Sequence, residues 1–103
     1  MTFQREPDGY TKTAWSDCQG ACQNLREAVV GAHPFAESHR LLFHIDEGMS
    51  WESVRDLDLM RKALTLVENI AKQAQVPEDV AENTVYVREA FQELLEAIEE
   101  GKA

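Results

Sequence analysis

Long apolar runs, glycine, proline and positive charge are all scarce in this 103-residue chain. No stretch approaches the ~20 consecutive apolar residues that span a bilayer, so no membrane-spanning segment is expected. The five glycines are dispersed, which leaves no Gly-rich loop to cradle a phosphate. Ten Lys and Arg against nineteen Asp and Glu give a formal net charge of -9. Such a chain is repelled by phosphate backbones and by anionic lipid, so direct nucleic-acid binding is not expected. Arg55, Arg61 and Lys62 are too few to make a phosphate patch. Basic protein surfaces remain good partners, because opposite charge raises the encounter rate. The start, MTFQREPDGYTKTAW, lacks a basic segment followed by an apolar one. A cytoplasmic location is therefore the expectation, with Cys18 and Cys22 reduced.

What is present suits one small domain. Hydrophobic residues make up 44% of the chain, and a chain of this length buries roughly 65% of its unfolded surface. Residues 1–12 read as a flexible N-terminal arm, with a single helical domain over 13–103. Trp15, Cys18, Cys22, Leu25 and Val29 follow steps of three and four, the apolar stripe of a first helix that Thr13 or Ser16 opens and Gly31 and Pro34 end. Leu41, Phe43 and Ile45 then alternate with Leu42, His44 and Asp46, which reads as a short extended strand. Asp46, Glu47 and Gly48 read as a turn. Ser50 caps a second helix from Trp51 to about Ala74, with Glu52 in its first turn. Pro77, Glu78 and Asp79 open a third, whose stripe is Val80, Thr84, Val87, Phe91, Leu94 and Ile98. The expected class is all-α: three main helices and one strand between the first two.

Chemistry-bearing patterns are weak. Cys18 and Cys22 sit one helical turn apart within the apolar stripe, and His33, His39 and His44 complete no zinc spacing with them; small buried thiols are the simpler reading. Asp17 beside Cys18 raises rather than lowers its thiol pKa, which disfavours a nucleophile. Glu93, Glu96 and Glu100 flank the last stripe rather than fill it, and no Glu-x-x-His accompanies them. No catalytic set, metal or cofactor is expected.

Surplus apolar groups point elsewhere. Trp15, Phe35, Phe43 and Trp51 are many large rings for a core this small, and aromatics favour interface centres. Trp15, Leu25, Val29, Leu41 and Phe43 are the expected protein-binding residues. A lone strand leaves its backbone groups unpaired, and the economical partner is the same segment of a second copy. Leu42, Phe43, His44, Ile45 and Trp51 would then form a homodimer about a two-fold axis.

The order Leu42-Phe43-x-Ile45-x-x-Gly48-Met49-Ser50-x-Glu52, read as strand, glycine turn and capped helix, resembles a family of small helical pseudomonad proteins grouped as a domain of unknown function. The likeness runs from Leu42 to about Ile98. This chain departs from it at Ser50, where members carry Pro, and at Val54 and Arg55, where they carry Ala. Small acidic proteins of this look include QslA-like quorum-sensing anti-activators. The resemblance implies a non-enzymatic regulator that binds the ligand-binding domain of a LuxR-type (LasR-like) transcription factor and blocks its dimerisation and DNA binding. The competing expectation is an acidic nucleic-acid mimic, with the glutamates of the last helix standing in for phosphates before a nuclease or repressor.

Overall fold

The computed structural model describes residues 7–101, with side chains from Ala14 onward. Four helices follow in order: α1 Pro7–Ala32, α2 Ser38–Ser53, α3 Leu57–Gln73 and α4 Glu78–Glu99. The all-α class is as expected. The three-helix count and the strand are not: Leu41 to Ile45 lie inside α2, and no strand occurs among the described residues. Residues 1–6 of the expected arm lie outside the described residues, and α1 starts ahead of the caps proposed for it.

The strand reading failed because alternation over three apolar residues also fits one face of a helix plus an outlier. The buried face of α2 is Ser38, Leu41, Ile45, Gly48 and Glu52, with steps of three and four. Phe43 is the outlier, 62% exposed on the opposite side. Once the segment is helical, its N–H and C=O groups pair within the helix. The need for a second strand, and with it the proposed strand-paired dimer, disappears.

Where one long second helix was expected, the chain breaks at Val54 to Asp56. Arg55 takes a left-handed conformation with φ 59°. Its N–H donates to the Glu52 carbonyl at 3.0 Å, and the Asp56 N–H donates to the Trp51 carbonyl at 2.9 Å. These two bonds form a Schellman cap, a place that glycine ordinarily fills. Asp56 then caps α3, its carboxylate accepting from the Leu59 N–H at 3.1 Å, which satisfies one of the free donors of the first turn. Ser50, the expected cap, lies within α2.

α4 keeps its expected start, with Pro77 as N-cap and Glu78 and Asp79 in the first turn. Its buried residues are Val80, Thr84, Val87, Phe91, Leu94 and Ala97. α1 packs chiefly on α4, and α2 on α3, whereas α3 and α4 touch over the least surface. The core runs between these pairs and contains Trp15, Cys18, Cys22, Leu25, Val29, Leu41, Ile45, Met60, Val67 and Leu94. No helix among the described residues is long and apolar enough to cross a membrane.

Candidate interaction surfaces and the buried polar cluster

The residues expected at contact surfaces divide sharply by burial. Leu25, Val29, Leu41 and Ile45 are 0% exposed and Trp15 is 6% exposed. They are covered by the chain's own helices and belong to the core, which corrects their assignment to a contact surface. The reason is the fourth helix: with four amphipathic elements, the α1 stripe faces α4 and α2, and the α2 stripe faces α3 and α1. Leu42, His44 and Trp51 are half-buried; Leu42 and Trp51 pack against the core edge, and the His44 Nδ1 lies 2.8 Å from the Glu47 carboxylate. Phe43 alone of the expected set stands well out from the surface.

Phe43 has company that the sequence reading missed. On a helix, residues eleven apart return to the same face, so Val54, at the end of α2, shares the outer face with Phe43. It is 66% exposed. Glu47 and Ser50 lie between them. The signal was available as a second helical stripe, 43-47-50-54, but only to a reader who already had Leu41–Ser53 as helix.

A second surface feature is the shallow contact of α3 with α4. It leaves a groove of about 320 Å³ whose walls include Leu64, Val67, Val87, Phe91 and Leu95, with Arg61 and Arg88 at its rim. Arg88 pairs across the groove rather than along its own helix. It crosses to Glu68 of α3 at 3.2 Å, and Lys72 reaches the same carboxylate at 3.7 Å.

A third cluster is internal. The Cys18 and Cys22 thiols are buried in α1, facing Glu52 of α2, which is 9% exposed. Arg55 lays its guanidinium over the Trp15 ring, 4.5 Å from the centroid, a cation–π contact. The buried Trp15 Nε1 has no hydrogen-bond acceptor among the described residues. The hydrogen bond to Cys22 and burial hold the Cys18 thiol well above the ordinary thiol range, so it stays protonated at neutral pH. The histidines are engaged elsewhere: His33 Nδ1 lies 2.8 Å from Ser38 Oγ, and the His39 ring packs edge-on against His33. Among the described residues, no three His, Cys, Asp or Glu side chains converge as a metal site would require.

No protein-family model, curated protein or solved structure matches the chain. The surfaces and the cluster therefore carry the functional argument. The strand and glycine turn that gave the pseudomonad resemblance its shape are replaced here by the middle of a helix.

Glu52 gives the cluster a measurable signature. Desolvation raises its carboxyl above the usual carboxylate range, and Arg55 offsets part of that. A carboxyl that ionises less readily in the folded than in the unfolded chain contributes stability at low pH, and that contribution is lost as pH rises through the folded-state value. Glu52→Gln is therefore expected to be more stable than the parent at pH 7. The difference should vanish below about pH 4, where the unfolded carboxyl is protonated too. Urea midpoints of both proteins at the two pH values check this.

Proposed function

We propose that this is a non-enzymatic, cytoplasmic regulatory protein that acts by binding and sequestering another protein. The observation that carries the reading is the outer face of α2, where Phe43 and Val54 are 62% and 66% exposed. Large apolar groups held on one rigid helical face suit the centre of a protein interface. The charge of -9 suits a basic partner, so association should slow as ionic strength rises. The partner implied by the resemblance is the ligand-binding domain of a LuxR-type transcription factor, with quorum-sensing anti-activation as the outcome. In this reading the chain works as a homodimer, but not through a strand.

Phe43→Glu tests the reading. The immobilised parent chain is expected to retain a partner from source-cell extract, and a purified LuxR-type ligand-binding domain is the first direct probe. The variant should keep its helical circular dichroism and bind at least about tenfold more weakly, as loss of a central aromatic anchor does. Equal retention by Phe43→Glu would remove α2 from the interface.

The mimic reading keeps one specific support: Glu82, Glu89, Glu93 and Glu96 are all exposed on α4. In that case charge reversal at Glu93 and Glu96 abolishes binding, whereas in the sequestering protein it only slows it.

A further inference from the structure

The α3–α4 groove combines an apolar floor with one unengaged cation. Leu64 and Val67 of α3 and Val87, Phe91 and Leu95 of α4 line the floor. Leu64 and Phe91 are the least covered residues of the hydrophobic core, because α3 and α4 touch over the least surface of any packed pair. The Thr84 hydroxyl, which also lines the groove, is already used: it donates to the Val80 carbonyl of its own helix at 2.9 Å. Water over such a floor finds few hydrogen-bond partners, so an apolar group displaces it favourably.

Among the described residues, the charged lining is Arg61, Glu68 and Arg88 alone. Asp58 on α3 and the exposed glutamates of α4 lie outside it. The Glu68 carboxylate accepts from Arg88 at 3.2 Å, and Lys72, also outside, reaches it at 3.7 Å. Arg61 is exposed, and no ion pair among the described residues engages it. Two guanidinium groups against one carboxylate give the groove an excess of one positive charge, in a chain whose net charge is -9. The Glu68–Arg88 pair bridges the helices at one point. Arg61 stands two helical turns away along α3, at a distance of about 10 Å, and no other charge lines the groove between them.

We infer that this groove binds a small amphipathic anion, a free single-chain aliphatic carboxylate of medium length. Its tail lies over Leu64, Val87, Phe91 and Leu95, and its head meets the Arg61 guanidinium. Buried apolar area supplies most of the affinity. Arg61 supplies the selection, since its planar fork matches the two oxygens of a carboxylate. The groove volume of about 320 Å³ is at the low end for small-molecule sites; it suits one hydrocarbon chain and is too small for a two-chain lipid. The ligand adds contact where the bundle has least. The inference is independent of the sequestering role proposed above, which rests on the outer face of α2.

Titration of the full chain with millimolar octanoate, octanol, octylammonium and acetate, followed by methyl NMR, tests this. Octanoate should shift the Leu64, Val87 and Leu95 methyl signals and bind at least about tenfold more tightly than octylammonium or acetate. Adsorption driven by the overall charge would favour the cation instead. Arg61→Gln should weaken octanoate about fivefold, leave octanol unchanged and keep the helical circular dichroism, as loss of one exposed ion pair does. Phe43→Glu should leave octanoate binding unaltered, so loss of partner capture in that variant counts against the sequestering role alone. Octylammonium binding as tightly as octanoate overturns the inference, as do octanoate shifts confined to other residues or an Arg61→Gln variant that binds like the parent. Binding to phosphatidylglycerol vesicles that Arg61→Glu abolishes would make a bilayer the occupant, and a sedimenting dimer that Arg61→Glu dissociates would make it a second copy. Either result overturns the inference too.

Discussion

Ile45→Lys is expected to unfold this protein at urea concentrations that leave Phe43→Lys fully native. The two residues are neighbours but one apart in sequence, and an extended segment would have placed them on the same face. In α2 they point in opposite directions. Ile45 is 0% exposed and belongs to the core cluster with Leu41, Met60 and Leu25. A lysine there must either bury its ammonium without a partner or push α2 off the bundle, at a cost of about 4 kcal/mol. That is a large share of the total stability of a domain this small. Phe43, 62% exposed, loses only a ring contact with His44, and its replacement should change stability by no more than about 0.5 kcal/mol. Urea unfolding followed at 222 nm distinguishes the two. Equal midpoints would return the segment to an extended conformation.

Gly48→Leu should be nearly as damaging, for a different reason. Gly48 lies in the buried face of α2 where that helix comes closest to α3. A Cβ at this position would lie 3.0 Å from Leu64 Cδ2 and 3.7 Å from Ala63 Cβ. Glycine is needed here for proximity rather than for a turn. Alanine asks only the end of the Leu64 side chain to move, and its better helix propensity, about 1 kcal/mol, roughly balances that. Leucine cannot be placed without parting α2 from α3, and overpacking of this kind costs about 3 kcal/mol. Leu64→Ala in the same chain opens space where the new side chain needs it. The double variant should therefore recover at least about 1 kcal/mol relative to the sum of the single changes. Strict additivity in the urea midpoints would mean that the two residues are not in contact.

Both results turn on the segment that sequence reasoning misread. α1 and α4 were legible because their apolar residues repeat at helical spacing over four or more turns, too long a pattern for any strand. Trp15, Cys18, Cys22, Leu25 and Val29 could be assigned to one face from spacing alone, and all five are buried. The stretch from Ser38 to Ser53 is half as informative. Its inward positions include Ser38, Gly48 and Glu52, none of them apolar in the ordinary sense, so Leu41 and Ile45 were left to pair with the outward Phe43 in a false alternation. Gly48 reinforced the error, since glycine beside two acids reads as a turn unless a neighbouring helix is known to need the space.

The break between α2 and α3 was hidden for a related reason. Its left-handed residue is Arg55, not glycine, so the usual mark of a Schellman cap was absent. The cation stacked on Trp15 ties that strained position to the core forty residues earlier in the chain. No local pattern records such a contact. The α3–α4 groove was out of reach as well, because spacing marks the inward face of each helix but not how closely two helices pack.

By itself, the sequence determined the helical class, the inward faces of α1 and α4, and the acidity that governs which partners are attracted; each follows from residue type and short-range spacing, which act before the chain is packed. Only the tertiary structure decided that Leu41–Ile45 is helical, that Leu25, Val29 and Leu41 are core while Phe43 is surface, and that α3 and α4 leave an apolar-floored groove between them. Those outcomes depend on which helix lies against which, and for the polar and glycine positions of α2 the packing of distant residues outweighs local preference.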